Sequence, residues 1–277
     1  MNSVNVKEDG FIRIMTSNVW GNCGANLIAN RDDLLAQVFL SLLPDVIGMQ
    51  EFSPKIRGEI PNLTELISSC YAEVEVEAGE YLNNYTPLVY LRDKYSVLKS
   101  GFHSYSGLND KNSKSITWAV FQSHVEDVRF AVCSTHFYWT GDEAGNAARL
   151  NNCDELKAVT DGILKDYNVP VFCIGDFNCT IGSEPMSKLF AHGFTDTHDA
   201  ATLHASNSGG HHNYPEWDEK TNTFKNAPKP IGTYDNSIDH ILLTGERADI
   251  FVYETVEMQD ALDASDHCPV FADVRID

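Results

Sequence analysis

Short apolar segments that end in polar residues recur along the whole chain, and this repeated unit most constrains what the chain can fold into. Residues 11–17 lead into Asn18, residues 46–50 into Glu51, and residues 169–175 into Asp176. Apolar runs of four to eight residues that are bounded by turn signals are typical of buried strands. A chain with many such strands needs sheets whose faces are covered, which indicates an α/β architecture.

Two segments with helical spacing separate the strands. Residues 31–43 carry apolar side chains on one face, and we expect Asn30 to cap this helix; residues 146–166 show the same spacing. Strands with one helix, followed by strands with another, predict two sheets packed face to face with the helices outside them. No break in composition marks a boundary, so we expect a single domain over residues 1–277.

The charge of the chain bears on its partners. Its 277 residues include 20 Lys and Arg but 40 Asp and Glu, which gives a net charge of −20. Such a surface repels polyanions at long range and gains little from counterion release, which argues against a non-specific nucleic-acid coat protein. A nuclease is disfavoured but stays open, because a bound cation can invert the local field.

Cysteine usage and hydropathy bear on location. The seven cysteines form no CxxC pair and fit small buried side chains in a reducing compartment. Residues 1–10 show no apolar run of a signal peptide, and no segment approaches the ~20 apolar residues of a membrane span. We therefore expect a cytoplasmic protein with no membrane partner; secretion after removal of a leader is the alternative.

The polar residues at the strand ends form a chemically coherent set. Its members are Asn18, Glu51, His136, Asp176, Asn178, Asp239, His240, Asp266 and His267. Taken singly, an acid at a strand end is more often a turn residue than a ligand. Strand ends are also where separate segments of a sheet converge on one crevice, and carboxylates without cysteine suit Mg²⁺ or Mn²⁺. Together the residues indicate metal-assisted attack of water on a phosphoester.

Six of these segments, in this order, resemble the exonuclease–endonuclease–phosphatase superfamily, which has the DNase I-like fold. The segments are 16–21 (TSNVWG), 49–51 (MQE), 134–137 (STHF), 175–178 (GDFN), 237–241 (SIDHI) and 265–269 (SDHCP), the last being the most specific. The resemblance covers nearly the whole chain. It implies a four-layer α/β/β/α sandwich with the active site at one end of the paired sheets.

The resemblance also implies a metal site and an attacking water. Glu51 would be the principal metal ligand, and Asp266 would contribute to the same site. Asn18 would help to hold the metal-bound network and the phosphate. Asp176 would activate the attacking water, which Asn178 would position.

For the phosphate itself, the resemblance implies that His267 contacts the scissile group while Asp239 orients its ring. His136 would contact the phosphate or aid the leaving group. Arg149, in Ala-Ala-Arg, also resembles the family and is a candidate substrate contact.

The sequence departs from the family at three points. Trp20 stands where some members carry a second metal-binding acid, which favours a single metal. Residues 83–86 offer no acid to orient His136, as nuclease relatives often have, so the protonation of this histidine stays open. His240 is expected to pack within its strand rather than to act in catalysis.

The substrate is the least constrained part of the prediction. Few lysines could form a basic loop for DNA, and those present are scattered among acids: Lys111, Lys114, Lys220, Lys225 and Lys229. The polar segment 202–233 could select the substrate through His211 and Trp217, or it could be a decorated surface loop.

We expect a monomeric Mg²⁺-dependent (or Mn²⁺-dependent) hydrolase of a small or single-ended phosphorylated substrate, either a phosphomonoester or a phosphodiester. The alternatives are a metal-dependent endonuclease or exonuclease acting on DNA or RNA, and a binding module that kept the fold and lost catalysis.

Overall fold

The computed structural model describes residues 7–21, 31–76, 84–110, 113–212, 216–225 and 229–276. The strands in this part of the chain are β1 Ile12–Asn18, β2 Val46–Gln50, β3 Tyr71–Glu73, β4 Leu88–Leu91, β5 Tyr95–Ser104, β6 Ser115–Ser123, β7 Arg129–His136, β8 Pro170–Asp176, β9 Thr195–Asp196, β10 Leu203–His204, β11 Glu216–Asp218, β12 Thr223–Lys225, β13 Asp239–Gly245, β14 Asp249–Thr255 and β15 Val270–Arg275. The helices are α1 Arg31–Leu42, α2 Pro54–Glu59, α3 Pro61–Ile67, α4 Glu143–Tyr167, α5 Glu184–Ala191, α6 Thr197–Ala200 and α7 Gln259–Ala264.

Two mixed sheets contain nearly all of these strands. The first has the order β10-β14-β15-β1-β2-β4-β3, in which β1 runs parallel to β2 and antiparallel to β15. The second has the order β5-β6-β7-β8-β13-β9, in which β7 runs parallel to β8 and β13 runs antiparallel to it. Strands β11 and β12 form a separate hairpin.

The two sheets pack face to face across an apolar core. Ile47 of the first sheet and Phe121 of the second belong to one buried cluster. The sheets come so close at Gly48 that a Cβ there would lie 2.7 Å from Ile174 Cδ1, so a larger residue would push the layers apart. Helices α1, α3 and α7 pack together and cover the first sheet, and α4 and α5 cover the second. The predicted four-layer α/β/β/α sandwich is confirmed.

Local capping explains where the longest helix begins and ends. The Asp142 side chain accepts a hydrogen bond from Gly145 N at 2.8 Å, and Asn168 ends α4 in the left-handed conformation with φ 47°. The helix therefore begins three residues before the predicted start, because residues 143–145 lack the apolar spacing on which that prediction relied. The sequence also predicts a short helix over residues 184–192 with Ser183 as its cap, and Ser183 caps α5.

Several elements differ from the sequence prediction. Helices α2, α3 and α7 were not predicted, because six or seven residues are too few to show a helical period. The sequence predicts a strand near residues 95–99, and β5 continues beyond it to Ser104. The alternating residues 72–78, which include Glu77, predict an edge strand. Strand β3 lies at the sheet edge but ends at Glu73, whose carboxylate pairs with Arg57 at 2.7 and 2.8 Å. Asn30, Glu77 and Cys23 lie outside the described residues.

The remaining cysteines are free thiols, and all but the half-buried Cys70 are buried, as the composition predicted. Within the described ranges, no helix is long and apolar enough to cross a membrane.

Candidate active site

The strand topology brings the predicted site residues to one edge of the sandwich. Asn18 and His136 end β1 and β7, and Asp176 ends β8. Because β13 runs antiparallel to β8, its first residue, Asp239, pairs with Asp176, and Asp176 pairs with His136 on the other side. By the same rule the residues just before β15, which include His267, return to the end of β1.

Asp176 lies at the centre of the site and is 2% exposed. Asn18 Nδ2 donates to its Oδ2 at 3.0 Å, and the backbone N–H of Asn178 donates to its Oδ1 at 2.8 Å. His136 Nε2 lies 3.3 Å from Oδ2. Burial works to raise the pKa of Asp176, but the hydrogen bond and charge of His136, together with the charge of His267, hold this pKa below its usual range. The carboxylate is therefore ionised at neutral pH.

Glu51 sits in a tight turn directly after β2. Its backbone is left-handed with φ 60°, and its Oε2 accepts a hydrogen bond from Gly21 N at 2.7 Å. Asn18 Nδ2 donates to Oε1 at 3.3 Å. A Cβ at position 21 would lie 2.3 Å from Glu51 O, so only glycine fits there. Burial works to raise the pKa of Glu51, but the charges of His136 and Lys114 lower it overall, which keeps the side chain anionic.

Asp266 provides the observation that tests whether a cation fits. Its Oδ1 is buried and has no hydrogen-bond partner among the described residues. Burial, together with the charge of Glu51, raises the pKa of Asp266 to about 6. Both carboxylates line the same cavity, and a divalent cation with oxygen ligands would satisfy both of them. The residues present therefore fit a metal ion.

Asp239 and His267 form a buried pair. His267 Nδ1 donates to Asp239 Oδ2 at 2.7 Å, and the Asp239 side chain is 1% exposed. Burial works to lower the pKa of His267, but the charge and hydrogen bond of Asp239 hold it well above its usual value. Ser265 Oγ accepts from His267 N at 3.2 Å and donates to Asn18 O at 2.7 Å, which ties the pair to β1.

Lys114 is a member of the site that the sequence analysis mentioned only as one of a few lysines scattered among acids. It is 5% exposed, and its Nζ lies 2.8 Å from His136 Nε2. The sequence analysis did not recognise it as a site residue because it considered charge density alone. The available signal was topological: β6 runs antiparallel to β7, and the pairing of Ile116 with Thr135 brings the residues just before β6 to the end of β7.

The site opens into a cavity of about 650 Å³. Beyond the residues already described, its lining includes three aromatic side chains, Trp20, Tyr85 and Trp139. Trp139 is 58% exposed, and its Nε1 donates to Asp110 Oδ2 at 2.6 Å. The sequence analysis did not single out Tyr85, Asp110 or Trp139 as site residues, because none of them directly follows an apolar strand.

The other sequence candidates have different surroundings. Arg149 is buried and donates through Nη1 to Tyr138 O and Thr140 O at 3.0 and 2.7 Å. It fixes the loop after β7 and does not line the cavity, so its position gives no support to a substrate contact. His211 forms a backbone bridge with His267 beside the cavity. Trp217 lies in β11, but its side chain is outside what the structure describes.

His240 packs within β13, as predicted. It is fully buried, its Nε2 donates to Cys179 O at 3.0 Å, and its Nδ1 lies 3.3 Å from the Tyr234 hydroxyl. Burial lowers the pKa of His240 to about 4, so the ring is neutral near pH 7. The bond to Cys179 supports the turn that carries Asp176 and Asn178.

A second group of potential ligands, Asp196, His198 and Asp199, lies apart from the cavity with ligand atoms within 4.8 Å of one another. Both Asp196 oxygens accept from the Tyr234 hydroxyl at 2.8 and 2.9 Å. A hydrogen bond therefore already satisfies this buried carboxylate without an ion.

Comparison of the sequence with protein families gives a match over most of the chain. The model of the Endonuclease/Exonuclease/phosphatase family matches residues 15–267. No curated protein matches the sequence.

Three solved structures illustrate the shared fold. A mannosyl-6-phosphatase from Bacteroides thetaiotaomicron is 17% identical with TM-score 0.76, over 96% of this chain and 100% of that one. The catalytic domain of human Nocturnin with bound sulfate is 15% identical with TM-score 0.70, and the match covers 97% of this chain and 96% of that one. TDP2 from D. rerio, in complex with a single-strand DNA product, is 15% identical with TM-score 0.67, and the match covers 97% of this chain and 100% of that one.

Proposed function

Because the chain belongs to the Endonuclease/Exonuclease/phosphatase family and is therefore a phosphoester hydrolase, we propose that it cleaves a small or single-ended phosphoester with the help of one divalent cation, Mg²⁺ or Mn²⁺. The observation that carries the proposal is the convergence of Asp176, His267 and Glu51 on one cavity of about 650 Å³.

In the proposed mechanism Glu51 and Asp266 hold the cation, and Asn18 steadies Glu51 through its amide. The bound ion would polarise the phosphoryl oxygens and offset their charge. The ionised Asp176 accepts a proton from the attacking water, and the neighbouring Asn178 positions that water. His267, held by Asp239 in its cationic form, donates a hydrogen bond to the phosphoryl group as negative charge accumulates there.

The size and chemistry of the cavity support a small substrate. Its volume falls in the range of roughly 300–1,000 Å³ that small-molecule sites occupy. Trp20, Tyr85 and Trp139 offer flat apolar faces on which a ring can stack. The net charge of −20 opposes the approach of a long polyanion.

The runner-up is a nuclease that acts at the end of a single strand. The same aromatic faces could stack on bases, and stacking tolerates any base sequence. The structure of D. rerio TDP2 contains a single-strand DNA product, so this fold accommodates such a ligand in that protein. A binding module without catalysis is disfavoured, because the predicted catalytic side chains converge with their hydrogen bonds intact.

The function is tested by substitution of the central residues. We expect Asp176→Ala and His267→Ala each to lower kcat/KM by roughly 10²–10⁴-fold, because each removes a group that acts on the reacting atoms. Asp166→Ala on the exposed face of α4 is the control and should keep full activity. Thermal unfolding of the variants shows whether the fold is intact; full activity in both site variants would refute the mechanism.

The substrate class is tested with Mg²⁺ or Mn²⁺ and a panel of sugar phosphates, inositol phosphates, single-stranded DNA and plasmid DNA. We expect turnover of small phosphoesters. Rapid nicking of plasmid at physiological salt, without turnover of small phosphoesters, would replace our proposal with a nuclease. We further propose that the enzyme is a single-domain, cytoplasmic monomer, which size-exclusion chromatography with light scattering and localisation of a tagged chain would test.

A further inference from the structure

Lys114 is a buried cation beside the reacting centre. Its side chain lies just before β6, and its Nζ contacts His136 Nε2 at 2.8 Å. Among the residues that the structure describes, no carboxylate oxygen forms an ion pair with this ammonium. Burial lowers the pKa of Lys114, while the more distant charges of Asp176 and Glu51 work to raise it. The site thus contains a positive charge that its own carboxylates do not pair.

One nitrogen of His136 lies between Lys114 and Asp176. Lys114 Nζ is 2.8 Å from His136 Nε2, and Asp176 Oδ2, which also accepts from Asn18, is 3.3 Å from the same nitrogen. The contact with His136 therefore holds the Lys114 ammonium on this side of Asp176.

The Lys114 ammonium has more donors than its contact with His136 uses. An ammonium has three N–H donors, and His136 accepts one of them. Lys114 is also part of the cavity wall, together with Glu51, Asp266 and His267. Three separate electropositive positions thus surround the cavity: the cation site at Glu51 and Asp266, the His267 ring, and the Lys114 ammonium.

Three such positions match a terminal phosphoryl group better than a bridging one. A phosphomonoester has three non-ester oxygens and a charge of about −1.5 to −2 at neutral pH. A phosphodiester has two such oxygens and a single charge. We propose that Lys114 binds the third oxygen of a terminal phosphoryl group and makes the enzyme prefer phosphomonoesters to phosphodiesters. This inference rests on the proposed function and specifies its substrate class.

The experiment uses two substrates that share one leaving group. In p-nitrophenyl phosphate and in methyl p-nitrophenyl phosphate, water attacks phosphorus and the bond to p-nitrophenolate breaks. With Mg²⁺ or Mn²⁺ present, we expect the wild type to prefer the monoester. Lys114→Met should lower kcat/KM for the monoester by roughly 100-fold, as loss of one charge-stabilising donor does. The loss for the diester should stay below about tenfold.

Matched variants separate phosphate binding from a structural role. Lys114→Arg keeps the charge and should recover much of the monoester activity, whereas Lys99→Met on the exposed part of β5 should change neither activity. If Lys114 only supports His136, Lys114→Met will lower both activities equally, and this result would overturn the inference. Should Lys114→Met fail to fold, Lys114→Gln removes the charge while it retains a polar side chain.

Inorganic phosphate provides a readout that does not require turnover. Calorimetric titration should show weaker phosphate binding to Lys114→Met or Lys114→Gln than to the wild type, and unchanged binding would also overturn the inference. If the wild type hydrolyses neither ester, the proposed function fails for these substrates, while the phosphate titration still decides whether Lys114 binds phosphate.

Discussion

Asp239→Asn is the substitution that most directly tests the electrostatics of the site. The Asp239 carboxylate is buried and accepts from His267 Nδ1 at 2.7 Å. Asparagine has nearly the same shape and can still accept this hydrogen bond through its amide oxygen. The substitution therefore removes one negative charge next to the imidazole and leaves its orientation in place.

The expected magnitude follows from the distance. Atoms 2.7 Å apart place the two charge centres about 4 Å apart, where opposite unit charges attract by about 4 kcal/mol at an effective dielectric constant near 20. If the cationic ring stabilises the transition state, a loss of this size corresponds to roughly a 10³-fold lower kcat/KM. The fold should lose less than the ~3–5 kcal/mol that an unpaired buried charge costs, because the His267 ring can release its proton once the carboxylate is removed.

The assay is kcat/KM for a small phosphoester, measured for Asp239→Asn, His267→Gln and the double variant. Because Asp239 is expected to act only through His267, adding Asp239→Asn to His267→Gln should cause little further loss. Asp235→Asn, an exposed carboxylate four residues earlier, is the control for the change in net charge. A loss below tenfold for Asp239→Asn, or independent losses in the double variant, would refute the reasoning.

Three further predictions concern the metal, the core and pH. Mg²⁺ should raise the unfolding temperature of the wild type but not of Glu51→Gln, because binding to the folded state alone stabilises it. Gly48→Ala should destabilise the protein by about 1–3 kcal/mol in urea unfolding, because its Cβ would lie 2.7 Å from Ile174 Cδ1. Folding lowers the pKa of His240 from about 6.5 to about 4. The stability that the neutral ring contributes is therefore fully present above pH 6.5 and is lost as the pH falls to 4, because the unfolded chain takes up the proton first. The stability difference between wild type and His240→Asn should therefore shrink by about 3 kcal/mol between pH 7 and pH 4.

For each of these three predictions, one measured outcome would contradict the reasoning. An equal Mg²⁺ effect on Glu51→Gln would show that the cation binds elsewhere. Gly162→Ala makes the same chemical change inside α4 with no atom within 4 Å of the new Cβ, so it should be neutral or slightly stabilising. An equal cost at both glycines would contradict the close packing of the sheets. A stability difference at His240 that does not vary with pH would show that the ring is not buried in its neutral form.

Much of the fold could be predicted from the sequence because apolar strands and polar strand ends are local signals. β2 and β8 appeared as continuous apolar runs since both of their faces are covered. β5 extended beyond its predicted end since its second half is half-buried and shows no apolar run. The short helices α2 and α7 could not be predicted, because one or two turns are too short to show the helical spacing of apolar residues.

The site could be predicted where a side chain follows its own strand, as Glu51 and Asp176 do. Lys114 could not be recognised as a site residue from the sequence. Its burial depends on which strand lies beside β6, and composition does not reveal this long-range pairing. Trp139 and Tyr85 could not be recognised either, because they reach the cavity from loops whose paths depend on tertiary packing.

The order of strands in the first sheet has a consequence for how the chain acquires its structure during synthesis. β1 lies between β2 and β15, and β15 comes later in the chain than every other strand that the structure describes. The second sheet, in contrast, consists of strands from the middle of the chain. During translation the strands of the second sheet can pair first. One edge of β1 stays unpaired until residues 270–275 have emerged from the ribosome. The same late segment contains His267, so closure of the sheet and appearance of activity should occur in one step. Until then, β1 has an unpaired edge that is open to pairing with other chains.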